Sequence, residues 1–192
     1  IIIGRFILSI VLLLLTQRVA TQDVLVLIDS LETKLTTLED GDEKTKVFSD
    51  LCWYYNSVDP QKAIKYGEEA VVLSKSLNNR KSEAQAYNDL GIVYQYQSEY
   101  EEAIDYYEKS LKIRLTQNDS SQIGGTYLKI GIVYQSKGDY AIAIEKQLKA
   151  LDYYYPINDE KGISYALNNI GILYQNQKNF KKALEYHLMS LD

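Results

Sequence analysis

Three glutamines, Gln95, Gln135 and Gln175, recur in the sequence at intervals of 40 residues. A carboxamide carries both a donor and an acceptor, so a row of them satisfies a peptide backbone without reading its side chains. Acid–base and covalent chemistry have far less to work with. The chain holds one His and one Cys, and neither His187 nor Cys52 stands in a pattern that pairs a nucleophile with a base. The same scarcity leaves no ligand set for zinc and no internal disulfide. The stretch "IGGTYLKIG" from Ile123 to Gly131 lacks the spaced glycines and the Lys-Ser/Thr ending of a phosphate loop. No catalytic residue, metal site or cofactor is therefore expected.

The glutamines belong to a longer repeated string. "LGIVYQYQSEYEEAIDYYEKSL" from Leu90 returns as "IGIVYQSKGDYAIAIEKQLKAL" from Ile130 and "IGILYQNQKNFKKALEYHLMSL" from Ile170. Gly91, Gly131 and Gly171 keep the same interval, as do Tyr94, Tyr134 and Tyr174, and Ala103, Ala143 and Ala183. Each unit holds two apolar-periodic stretches, such as 84–97 and 100–115, around a short polar turn, which predicts a helical hairpin. Tyr87, Leu90, Gly91 and Tyr94 fall on one helical face, with the glycine as the point of close approach and Ala103 as the matching small surface. Most tyrosines are expected to pack the core: Tyr87, Tyr94, Tyr100, Tyr127, Tyr134 and Tyr140 all sit at repeating positions. His187 takes the place held by Gln147 and Tyr107 in the earlier units, which predicts packing or surface exposure.

An aromatic, then Leu-Gly, a Tyr, and an Ala twelve residues past the Gly: this pattern resembles the tetratricopeptide repeat. Tyr87, Leu90, Gly91, Tyr94 and Ala103 carry it, with Ile130, Gly131, Tyr134 and Ala143, and Ile170, Gly171, Tyr174 and Ala183. A degenerate earlier unit has Cys52 in place of the Gly and Ala63 in place of the Ala, one residue being missing near Pro60. The resemblance implies an all-α, right-handed solenoid of antiparallel hairpins. The array spans 43–192, with a degenerate unit at 43–80, units at 81–119 and 121–159, and a shortened one at 161–192. The family unit has 34 residues and a Pro near its end. The extra length here predicts a longer second helix before loops such as "TQNDSSQIG". Residues 22–40 read as an amphipathic helix capping the first unit.

In such arrays the first helix of each hairpin lines a concave groove that holds peptides. The lining positions are then Gln85, Asn88 and Gln95; Gly125, Leu128, Lys129 and Gln135; and Tyr165, Asn168, Asn169 and Gln175. Either a peptide-binding ladder or a solvated polar face accounts for so many carboxamides. After each Gly stands Ile92, Ile132 or Ile172, where members that clamp a peptide carboxylate carry Asn, so that ligand class is not expected.

The net charge is -5, with 21 basic against 26 acidic residues and no basic run, which argues against nucleic acid. Residues 1–20 place Arg5 before a ten-residue apolar run, Phe6 to Leu15. That is the layout of a signal peptide or N-terminal anchor, the run being short for a membrane span. Export followed by a cap and 40-residue repeats resembles the N-terminal region of bacterial sensor histidine kinases or helix-turn-helix regulators. The resemblance implies a non-enzymatic sensing or scaffolding module, periplasmic or membrane-associated. Its partner would be a protein or peptide, and it would meet membrane only through the N-terminal segment or a further downstream span. A standalone exported scaffold is the alternative.

Overall fold

Left-handed backbone recurs every 20 residues, at Asn78, Ser98, Asn118, Gly138, Asn158 and Lys178. These residues stop the helices. The computed structural model describes residues 22–191; the signal or anchor expected at 1–20 lies outside them. At five of the six turns the N–H of the residue that follows closes onto a carbonyl five residues back: Asn79 onto Ser74, Glu99 onto Tyr94, Asp139 onto Tyr134, Asp159 onto Tyr154 and Asn179 onto Tyr174. This satisfies carbonyls that a helix end leaves open. The residue after the left-handed one then opens the following helix. Asn79, Asp119, Asp159 and Asn179 each accept a backbone N–H of the first turn in their side chains, as N-cap residues do.

Nine α-helices are found among the described residues. α1 covers 22–35, followed by α2 (Asp42–Tyr55), α3 (Pro60–Ser76), α4 (Arg80–Tyr96) and α5 (Tyr100–Gln117). Then come α6 (Ser120–Lys137), α7 (Tyr140–Tyr154) with a 3₁₀ turn at Tyr155–Ile157, α8 (Glu160–Asn176) and α9 (Phe180–Met189). They pair as the hairpins α2–α3, α4–α5, α6–α7 and α8–α9, stacked in chain order. No strand occurs among the described residues, and the architecture is an α-solenoid. Also among them, no helix is long and apolar enough to cross a membrane.

Two expectations about boundaries are corrected. The "TQNDSSQIG" segment is almost wholly helical, because α5 runs to Gln117 and α6 starts at Ser120. The Asn-Asp pair alone, one left-handed stop and one cap, makes the turn. The residues beyond the family length therefore lengthen helices, not loops. The helix expected over 22–40 ends at 35. There Thr36 and Thr37 turn their N–H groups onto carbonyls three residues back, and their hydroxyls do the same, a local competition that draws Thr out of helices.

The repeated small residues sit where the hairpins close. Ala63, Ala103 and Ala143 are wholly buried and Ala183 nearly so, with Leu90, Ile130 and Ile170 beside them in the core. The glycines, however, make room for a side chain more than for a bare backbone. A Cβ on Gly91 would meet the Tyr107 ring, on Gly131 the Gln147 amide, and on Gly171 the His187 ring. At Gly131 the facing alanine also presses close, its carbonyl 3.3 Å away. In the first hairpin the glycine is on the second helix instead: a Cβ on Gly67 would meet Leu90 of the next hairpin first and then the Cys52 sulfur. Burial pushes the Cys52 thiol far up, which keeps it inert.

Tyr87, Tyr94, Tyr100, Tyr127 and Tyr134 pack against the core as expected, though from its edge. Tyr87, Tyr94, Tyr100, Tyr127, Tyr134 and Tyr140 are half-buried, and the rings that are deeply buried are Tyr55, Tyr107 and Tyr154. Several of the half-buried rings stack in pairs, Tyr94 on Tyr106 at 5.2 Å and Tyr127 on Tyr153 at 5.8 Å between centroids. The stacked rings pack against the core clusters. At the N-terminal end, α1 buries Ile28 against the first hairpin. Its Glu32 accepts both the Tyr55 and Tyr66 hydroxyls, at 2.7 and 2.8 Å.

Candidate ligand-binding groove

The first helices of the hairpins approach one another: α2 meets α4, and α6 meets α8. Their outward positions face a common hollow. One cavity of about 350 Å³ is lined by Trp53 of α2, Ile92, Gln95 and Tyr96 of α4, Gly125, Leu128, Lys129 and Ile132 of α6, and Tyr165 of α8. Residues more than a hundred positions apart thus share one concave wall. A second cavity, of about 420 Å³, opens between α2 and α4 over Ser49, Asp50, Trp53, Asn88, Asp89 and Ile92.

Trp53, Ile92 and Ile132 form an apolar ridge along the shared hollow, and Trp53 and Ile92 also border the second. Each follows directly after the small residue of its unit, Cys52, Gly91 or Gly131, so the register that tucks the small residue into the hairpin turns its neighbour to the groove. Trp53, Tyr96 and Tyr165 are 54%, 72% and 53% exposed, which is unusual for such large rings and leaves apolar area to be covered.

Beside the ridge runs a buried polar chain. Asp89 is 7% exposed and its carboxylate accepts from Gln85 Nε2 at 2.7 Å and Asn88 Nδ2 at 3.2 Å. Gln85 in turn accepts from Arg114 of α5 at 3.2 Å, and Arg114 donates to Thr126 Oγ1 at 2.6 Å. Burial pushes the Asp89 carboxyl up to about 6, against the hydrogen bonds from Asn88, Gln85 and Ser49 and the charge of Lys129. Lys129 moves the other way, down to about 8, through burial and then the repulsion of Arg114. None of the ion pairs among the described residues involves Asp89.

The expected lining residues divide accordingly. Gln85, Asn88, Gln95, Leu128, Lys129 and Tyr165 do line the two hollows, together with Gly125. Several are already engaged: Gln85 joins Asp89 to Arg114, and Gln95 accepts the Tyr107 hydroxyl at 2.7 Å. The structure therefore spends part of the glutamine row on its own hairpins. Asn168 accepts from His187 Nδ1 at 3.0 Å, and with Tyr165 it edges a separate hollow toward the C-terminal end. Asn169 is buried, Gln135 half-buried and Gln175 exposed. The sequence reading missed Trp53, Asp89 and Tyr96. The recurring place after the small residue was the available signal for Trp53. Among the described residues no group of acidic, His and Cys side chains is arranged to hold a metal.

The family model of the tetratricopeptide repeat matches residues 54–116 and 122–192, most of the chain. The chain belongs to the tetratricopeptide repeat family. Solved structures share the fold. Aspartyl phosphate phosphatase F from Bacillus subtilis superposes with a TM-score of 0.77 at 21% identity, over 83% of this chain and 42% of that one. A signal-transduction ATPase with numerous domains and a tetratricopeptide repeat sensor, from Pyrococcus horikoshii, gives 0.77 at 20% identity, over 85% and 25%. A Rap protein in complex with competence and sporulation factor gives 0.74 at 17% identity, over 91% and 51%. This chain thus spans about half or less of the length of each, and the likeness is one of fold. A comparison with curated proteins finds no match. The tetratricopeptide repeat fold suggests a protein-interaction scaffold.

Proposed function

We propose that this tetratricopeptide array is a non-enzymatic scaffold that holds a peptide segment of a protein partner along the groove. The carrying observation is the hollow that Trp53 of the first hairpin shares with Tyr165 of the last. A ligand lying there touches four first helices at once. The apolar ridge of Trp53, Ile92 and Ile132 supplies buried area, and exposed Trp and Tyr are the residue types that anchor interfaces. Among the folds that resemble it, one carries a tetratricopeptide repeat sensor and one is in complex with competence and sporulation factor, which supports placing this array in a sensing role. The apolar run at 6–15 behind Arg5 supports export, with the array forming the outer part of a bacterial signalling protein of the histidine-kinase or helix-turn-helix type.

Peptides selected on the chain from a random display library test the groove. They should lose binding to Trp53→Ala and Ile132→Asp and keep it to Glu108→Ala on a second helix. A library that yields no binder, or binders indifferent to both groove variants, removes the reading. Export is tested separately by fusing a reporter after Asp23, which should reach the periplasm; a reporter kept in the cytoplasm removes the sensor-outside role.

A further inference from the structure

The hollow between α2 and α4 has a chemical bias that the rest of the groove lacks. Its floor is Asn88 and Asp89, both more than nine-tenths buried. Asn88 donates to Asp89, which leaves its own Oδ1 as a buried acceptor with no hydrogen-bond partner. Asp50 and the Ser49 hydroxyl stand on the facing helix, and half of Trp53 is open at the rim. The free groups are thus acceptors from two helices, with an aromatic face at the mouth.

We propose that this hollow is a subsite for an arginine side chain of the bound peptide; the proposal rests on the groove reading above. A guanidinium is planar and presents five donors in a fixed fork, so one group serves the Asn88 oxygen and a carboxylate together. Its face stacks on an indole as an ammonium does not. At about 420 Å³ the hollow has the size of a small-molecule pocket. The surrounding cations do not already fill this role. Lys46 lies on the same rim but is exposed, where its charge is screened by solvent. Arg114 reaches Asp89 only through Gln85, and Lys129 lies toward the other hollow, with neither forming an ion pair to Asp89.

Trp53 is the single tryptophan of the chain and lines both hollows, so its emission reports binding near it and the Asp89→Asn variant assigns the signal to this hollow. The probes are N-acetyl-arginine methylamide, its uncharged citrulline isostere and the lysine analogue, each titrated into the full chain. The arginine probe should change the Trp53 emission saturably, at a concentration at least about tenfold below citrulline and below lysine. Asp89→Asn, which keeps the shape of the side chain, should bring arginine down to the citrulline level. Equal responses to arginine and citrulline in the unaltered chain overturn the proposal, as does no response to arginine. Display-selected peptides that bind the groove without arginine would also remove the subsite while leaving the groove reading intact.

Discussion

A Cβ placed on Gly91 would stand 2.6 Å from Cδ1 of Tyr107. The tyrosine, wholly buried, fills the space that the missing side chain leaves, and its hydroxyl reaches Gln95 across the hairpin. Replacing Gly91 with Ala should therefore overpack this contact, at a cost of about 1–3 kcal/mol, offset in part by about 1 kcal/mol of helix propensity. Gly171→Ala should cost less, since its partner His187 is half-buried in the last hairpin and has room to move. Thermal melts of the two variants decide this. Equal losses would mean that the facing ring does not set the contact.

Asp89 makes stability depend on pH in an unusual direction. Its folded value of about 6 lies above the ordinary 3.8, so the fold holds the proton more tightly than the unfolded chain does. The stability it contributes is complete below about pH 4 and is lost as pH rises through 6. Asp89→Asn should match the unaltered chain near pH 3.8 and exceed it above pH 7, by up to about 3 kcal/mol. Taking the difference between variant and parent removes the opposite trend of Glu32, which the Tyr55 hydrogen bond holds below its usual range. Urea unfolding across this range supplies the numbers. A variant less stable than the parent at neutral pH would show that Asp89 is satisfied in the fold.

The repeat carried most of the architecture. Gly91, Gly131 and Gly171 with their alanines set the register of the hairpins, because both helices need their small residues at one level to close. What the glycines face was not legible. Tyr107, Gln147 and His187 differ in size and shape, and that each fills the space beside its glycine and hydrogen-bonds the first helix shows only when the hairpin is closed. Turn length was hidden for a similar reason: the Asn-Asn and Asn-Asp pairs at 78–79, 118–119 and 158–159 resemble any polar loop until the first is seen in the left-handed region. Within the groove, the polar positions were readable from spacing, but Gln85 and Gln95 proved to be bonded to Asp89, Arg114 and Tyr107. A single unit cannot foretell bonds that cross between helices.

Those asparagine turns give a further expectation. Asn118 has φ near 54°, a region that a branched side chain enters at about 1–2 kcal/mol. Asn118→Val should lose roughly that much in urea unfolding, and Asn118→Gly should stay within a few tenths. Equal stability of the Val variant would argue against the left-handed stop.

Leu111 and Leu151 are buried against the hairpin that follows each, whereas Leu191 at the same repeat position is 81% exposed, with Leu184 and Leu188 also open. A helix with that much apolar side-chain surface open to water opens more readily than one packed on both sides. Amides of Ala183–Met189 should exchange faster than those of Leu90–Tyr94. Equal protection in a monomer would show that α9 is held as firmly as α4.

The claim that the groove of first helices is the binding surface is tested most directly by cross-linking. A display-selected peptide carrying a photoreactive phenylalanine is bound to the full chain, irradiated, and the attached residues are mapped by mass spectrometry. Attachment should fall on Trp53, Ile92, Tyr96, Ile132 and Tyr165, which line the shared hollow. Attachment instead to exposed second-helix residues such as Glu108 and Lys109 of α5 would contradict the account.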